Sequence, residues 1–184
     1  MNEEFVPSPS YSHKTPCITL VGMPGAGKST VGAALAQILG WSLVDTDHLI
    51  EAVYGVPLQA VADALSKEEF LDVEAQVVTS VRLFRTVLAT GGSVVYRDNA
   101  MQHLRSLGPL VHLHVSLPLL EERIARKPDR GLAIAPGQTI ADLFAEREAL
   151  YTRYAQCRVD ADTLPPQACA RAALEALRAK RLFF

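Results

Sequence analysis

Short apolar, β-prone runs alternate with longer stretches of helical period along the chain, beginning at Cys17. The run Cys17-Ile18-Thr19-Leu20-Val21 predicts a first strand, and residues 28–39 predict a helix closed by Gly40. Ser42-Leu43-Val44 predicts a second strand that runs into Asp45-Thr46-Asp47. Helical stretches follow over 47–53 and 58–82, separated by Gly55 and Pro57. Thr86-Val87-Leu88-Ala89 predicts a third strand ending in Thr90-Gly91-Gly92. A helix over 98–107 and a strand over 110–115 come next, with Pro118 opening a further helix. Residues 128–137, PDRGLAIAPG, have no strong period and predict a loop of the length of an active-site lid. A helix over 139–155 begun by Thr139, a strand over 157–160 and a helix over 166–181 complete the alternation.

Such alternation predicts an α/β fold with a parallel sheet covered by helices on both faces. Residues 16–184 contain no internal repeat and no linker, so one domain is expected after a polar, proline-containing tail over 1–15. That tail lacks the apolar core of a signal peptide, and no stretch approaches the roughly 20 apolar residues of a membrane span. With 184 residues, 49% of them hydrophobic, the chain is long enough to bury one core. Its 18 basic and 20 acidic residues leave a net charge of −2, which excludes a nucleic-acid or membrane partner held by bulk charge. Any anionic ligand is then held by locally placed cations and backbone amides. Cys17, Cys157 and Cys169 show no paired spacing, which fits a reducing cytoplasm better than a disulfide framework or metal site. A monomer is expected.

Gly22-Met23-Pro24-Gly25-Ala26-Gly27-Lys28-Ser29, followed by Thr30, satisfies the G-x-x-x-x-G-K-[ST] pattern between a strand and a helix. Gly22, Gly25, Ala26 and Gly27 let successive N–H groups turn inward on phosphate oxygens, and the helix dipole points at the same place. Lys28 is placed to reach the β- and γ-phosphates, and Ser29 to offer its hydroxyl to Mg²⁺. ATP and Mg²⁺ are the expected cofactors. No guanine-reading Asn-Lys-x-Asp segment follows, so the motif points to a small kinase, whose acceptor is a small molecule.

Asp45-Thr46-Asp47 stands at the carboxyl end of the second strand, the edge where open α/β sheets bind ligands. Alternate positions there aim two carboxylates at one cleft. Together with the P-loop, the TGG turn at 90–92, the arginine-bearing lid and Glu146-Arg147-Glu148-Ala149-Leu150-Tyr151, this order resembles the shikimate kinase family from Ile18 to Arg178. Gluconate kinases and nucleoside monophosphate kinases share the architecture more distantly. The resemblance implies a three-layer α/β/α P-loop NTPase domain with a five-stranded sheet and a lid near 128–137. It implies that Lys28 and Arg130 stabilise charge during transfer and that Thr30 joins the phosphate site. By the same resemblance Asp45 and Ser29 hold the metal, and Arg123 lies against adenine. Asp47 would receive the acceptor hydroxyl and act as base, Gly91 and Gly92 would present amides to the acceptor, and Arg147 would bind its carboxylate.

The match departs from the family at the acceptor. The family's phenylalanine–arginine pair, with a glutamate three residues after the arginine, reads here Phe70-Leu71-Asp72-Val73-Glu74. The third glycine of the turn is Ser93, and the lid lacks the usual arginine–proline–leucine run. A lost charge-assisted hydrogen bond weakens a carboxylate ligand roughly tenfold to several hundredfold. Shikimate remains the family default. Leu71 beside Asp72 and Glu74 leaves homoserine, an acceptor carrying an ammonium group, as the alternative. A nucleotide-binding regulator without chemistry is a third reading. His112 and His114 alternate on a strand like half of a metal site, but no third ligand is visible in the sequence, so both are expected to be structural.

Overall fold

The computed structural model describes residues 16–126 and 137–182. The expected tail, Arg130 and the lid apart from Gly137 lie outside those residues. The sheet contains β1 (Ile18–Val21), β2 (Ser42–Asp45), β3 (Thr86–Ala89), β4 (Leu110–His114) and β5 (Cys157–Asp160). All pairings are parallel, in the order β2-β3-β1-β4-β5. The expected five-stranded parallel α/β sheet is therefore present. β1, β3 and almost all of β4 are buried, as continuous apolar runs in a two-sided parallel sheet must be.

Helices α1 (Lys28–Leu39) and α8 (Pro166–Ala179) pack on each other, α1 also meeting β3 and α8 meeting β5. α6 (Leu117–Ala125) follows β4, and α7 (Ile140–Tyr154) packs on α6 and β4. Between β2 and β3 run α2 (Thr46–Tyr54), α3 (Leu58–Ala64) and α4 (Lys67–Ser80). These three helices share a small core of Ile50, Val61 and Val77, separate from the main one. α5 (Asp98–Leu107) then packs beside α4 after a short 3-10 turn at Val94–Tyr96.

The single helix expected over 58–82 is two helices, and the reason is local. Ser66 caps α4: its hydroxyl accepts from Glu69 N at 3.3 Å while the Glu69 carboxylate accepts from Ser66 N at 2.8 Å. This reciprocal box satisfies donors that a continuous helix would not expose, so α3 stops at Ala64. Ser66→Ala is expected to cost about 1 kcal/mol in urea unfolding, with no change in the slope. Elsewhere the expected boundaries hold to within a few residues, including Thr139 as the cap of α7.

Candidate active site

The P-loop connects the central strand β1 to α1 and bends through Gly25 (φ 83°) and Gly27 (φ 93°), conformations that favour glycine. Pro24, Gly25, Ala26, Gly27, Lys28, Ser29 and Thr30 line one side of a cleft of about 840 Å³ at the carboxyl edge of the sheet. Gly22 stands behind that lining, where an added Cβ would meet the Leu113 carbonyl oxygen at 2.5 Å. Lys28 is only 8% exposed and donates to the carbonyls of Gly22 and Met23 at 2.8 and 2.9 Å. Its ammonium is thus held at the loop's own mouth.

The Asp45-Thr46-Asp47 segment is tied to this loop and to β3. Ser29 Oγ donates to Asp45 Oδ2 at 2.6 Å, and Asp45 Oδ1 accepts from Asp47 N at 3.1 Å. Asp45 therefore caps α2 and faces the P-loop serine at once. Buried Thr46 accepts from Gly91 N at 3.0 Å, locking the ends of β2 and β3 together. The Gly91 amide, expected to face the acceptor, is thus engaged internally. Glycine is needed there for closeness: a Cβ on Gly91 would stand 2.0 Å from Glu74 Oε1 and 2.9 Å from Asp47 Oδ1.

Glu74 is the polar centre of the far wall and is fully buried within α4. Ser93 Oγ donates to its Oε2 at 2.7 Å, so the serine that replaces the family's third glycine is occupied by the carboxyl group. Burial pushes Glu74 up to about 7; the Ser93 bond pulls it down, nearby Asp47 pushes it up, and Arg147 and Lys28 pull it down. Because the folded chain holds this proton more tightly than the unfolded chain, the group's contribution to stability is full below about 4.5 and is lost as pH rises through about 7. Glu74→Gln is expected to flatten the fall in stability between pH 5 and 8, a difference on the order of 3 kcal/mol at the alkaline end. Urea titrations of both proteins at several pH values measure it.

Arg147 comes from α7 and is 1% exposed. Its Nε donates to the Tyr96 hydroxyl at 3.2 Å, and its guanidinium stands 5.1 Å from the centre of the Tyr96 ring. Its Nη1 lies 3.2 Å from where a Cβ on Gly92 would be, so Gly92 makes room for it. One turn along α7, the Tyr151 hydroxyl donates to the Gly92 carbonyl at 2.6 Å. Asp47, Gly91, Gly92, Glu74 and Arg147 all line the cleft with the P-loop. Leu71 does not: it is 2% exposed and turned inward, while Phe70 and Glu74 face the opening. Asp72 points elsewhere, to Arg97 Nε at 2.8 Å.

At the other end, Arg123 donates from Nη1 to the Gly25 carbonyl at 3.2 Å and lines the cleft with Leu164, Pro166 and Cys169. Sequence reasoning did not single out Tyr96, Tyr151 or the 161–169 segment. Tyr96 and Tyr151 act through contacts 51 and 59 residues away along the chain, and the 161–169 segment through bonds with His114 and Ser116, which no local pattern encodes.

A central P-loop strand whose cleft is divided between a phosphate cradle and a wall of carboxylates and arginine is the arrangement of a small P-loop kinase, and this chain is one. Residues 24–178 match the sequence model of the family described as shikimate kinase. The shikimate kinase of Chromohalobacter salexigens is 38% identical over 170 residues, covering 91% of this chain and 93% of that protein. The shikimate kinase of Pseudomonas aeruginosa is 37% identical over 164 residues, covering 88% and 95%. Among solved structures, shikimate kinase from Acinetobacter baumannii in complex with shikimate superimposes with a TM-score of 0.82 at 30% identity, over 92% of this chain and 97% of that one. A gluconokinase from Sinorhizobium meliloti shares the fold at a TM-score of 0.55. The chain belongs to the shikimate kinase family, ATP-dependent phosphotransferases that act on a hydroxyl group.

Proposed function

We propose that the chain transfers the γ-phosphoryl group of ATP to a hydroxyl of shikimate. The observation that carries this reading is the wall opposite the P-loop, where Asp47, Glu74 and buried Arg147 converge beside Gly91 and Gly92. Arg147 supplies the cation for the acceptor's carboxylate, and Asp47 accepts the hydroxyl proton as the oxygen attacks the γ-phosphorus and ADP leaves. Lys28 and the P-loop amides stabilise the charge that spreads over the transferring group. Arg130, by the family resemblance, would add a further positive charge to that group. Arg123, Leu164 and Pro166 line the end of the cleft that would receive adenine, the guanidinium offering a stacking face. Ser29 Oγ and Asp45 Oδ2, oxygen donors 2.6 Å apart, suit a hard cation, and Mg²⁺ bound there would neutralise phosphate charge. Three free, buried cysteines suit a reducing cytoplasm.

The alternative acceptor, homoserine, loses its support. It rested on surplus negative charge beside Leu71, but Asp72 is spent on Arg97 outside the cleft and the charge of Glu74 is already offset by Arg147 and Lys28. A coupled ADP-release assay with shikimate, homoserine and no acceptor tests the reading. Shikimate is expected to exceed homoserine in kcat/KM at least about a hundredfold. Equal or inverted rates would remove shikimate as the acceptor, and no acceptor-stimulated ADP release would leave only a nucleotide-binding regulator.

A further inference from the structure

On the β4–α7 face, behind the cleft wall, three side chains outside the phosphotransfer machinery meet. His112 and His114 alternate on β4 and project toward α7, which brings in Glu148. The sequence offered two histidines and no third ligand. The helix supplies it. One ligand atom from each residue can be chosen so that all lie within 4.8 Å of one another. His114 Nδ1 is 3.0 Å from Glu148 Oε1, and His112 Nε2 is 3.4 Å from Glu148 Oε2.

The imidazoles of His112 and His114 meet the Glu148 carboxylate as ion-pair contacts at 3.4 and 3.0 Å, while His112 Nδ1 is buried without a hydrogen-bond partner, so the cluster keeps polar capacity that interiors normally use up. Arg158 on β5 reaches Glu148 Oε1 at 3.2 Å, which accounts for one carboxylate oxygen and neither imidazole. Two imidazoles and a carboxylate are the donor set of a borderline divalent ion, distinct from the oxygen pair at Ser29 and Asp45. The side chains of His114 and Glu148 are 15% and 19% exposed, which gives an ion a way in and leaves a position for water.

We propose that His112, His114 and Glu148 form a binding site for a borderline transition-metal ion of the Zn²⁺ class. The ion would join β4, next to the P-loop strand, to the helix that carries Arg147. The His112 ring already lies 5.1 Å from the ring of Tyr151, which holds the Gly92 carbonyl. A metal at this point would brace the acceptor wall from behind without entering the cleft.

The test uses the full chain stripped with a chelator and titrated with Zn²⁺ against a chromophoric competitor. One ion per chain is expected, with Kd below about 1 µM. Co²⁺ in its place should give the visible d–d bands of a four-coordinate site without thiolate charge transfer, since no cysteine takes part. Glu148→Gln and His114→Asn should each weaken binding at least about a hundredfold, given that even outer partners of ligands are worth 10–100-fold. Arg158→Ala removes a competing cation from the rim and should tighten binding about fourfold or more, a readout independent of whether the ligand variants fold. Absence of stoichiometric binding below 100 µM (about a hundred times the expected Kd), thiolate bands with Co²⁺, or an affinity indifferent to Arg158→Ala would each overturn the proposal.

Discussion

Lys28→Ala is expected to lower kcat roughly a hundred- to thousandfold, the scale on which one preorganised charge acts in a water-poor site. The fold should survive. Lys28 starts α1 at the edge of the cleft, and its Nζ donates to the carbonyls of Gly22 and Met23. Water entering the cleft can bond those carbonyls when the ammonium is gone, so the stability loss should stay near 1 kcal/mol. The comparison to make is steady-state ADP release beside urea unfolding of the same preparation. Turnover within about tenfold of the parent would show that Lys28 is not the charge that matters.

Arg147→Ala should behave in the opposite way, damaging both binding and stability. This guanidinium is almost fully buried, bonds Tyr96 and helps to offset the charge of Glu74. Deleting one member of such a set leaves the others desolvated without compensation, at a cost of about 3 kcal/mol or more. If Arg147 also grips the acceptor's carboxylate, KM for the acceptor should rise tenfold to over a hundredfold, while KM for ATP stays close to that of the parent. Arg147→Lys should recover part of the stability and little of the acceptor affinity, because an ammonium cannot reproduce the planar fork. A destabilised Arg147→Ala protein with an unchanged acceptor KM would make the residue a core ion and nothing more.

The order of elements was readable because parallel strands are buried on both faces and read as short runs dominated by apolar, β-prone residues, as in Ile18–Val21 and Thr86–Ala89. The P-loop was readable because its chemistry is local. The break at Ser66 was also written locally, as serine followed three residues later by Glu69, but the helical period running through it concealed the stop. The acceptor wall was less legible. Glu74 gains its unusual proton affinity from burial and from nearby Asp47, against the pull of Ser93 and Arg147, and all of these are brought to it by other segments. Leu71 looked like a cleft residue by alignment with a motif, yet its side chain turns away where Phe70 and Glu74 do not. The third member of the histidine pair lay 34 positions beyond His114, on a helix whose own pattern gave no hint of it.

The strand order sets a division of labour between the two flanks of β1. Segments beyond β4 and β5 furnish Arg123, Leu164 and Pro166, while those beyond β2 and β3 furnish Asp47, Glu74, Gly91 and Ser93, with Arg147 reaching this wall from α7 after β4. The α2–α4 unit even has its own small core. Changes within the α2–α4 unit should therefore alter the acceptor wall more than the nucleotide end. Chimeras that exchange residues 46–80 between relatives should inherit the donor's acceptor preference and keep the recipient's handling of ATP.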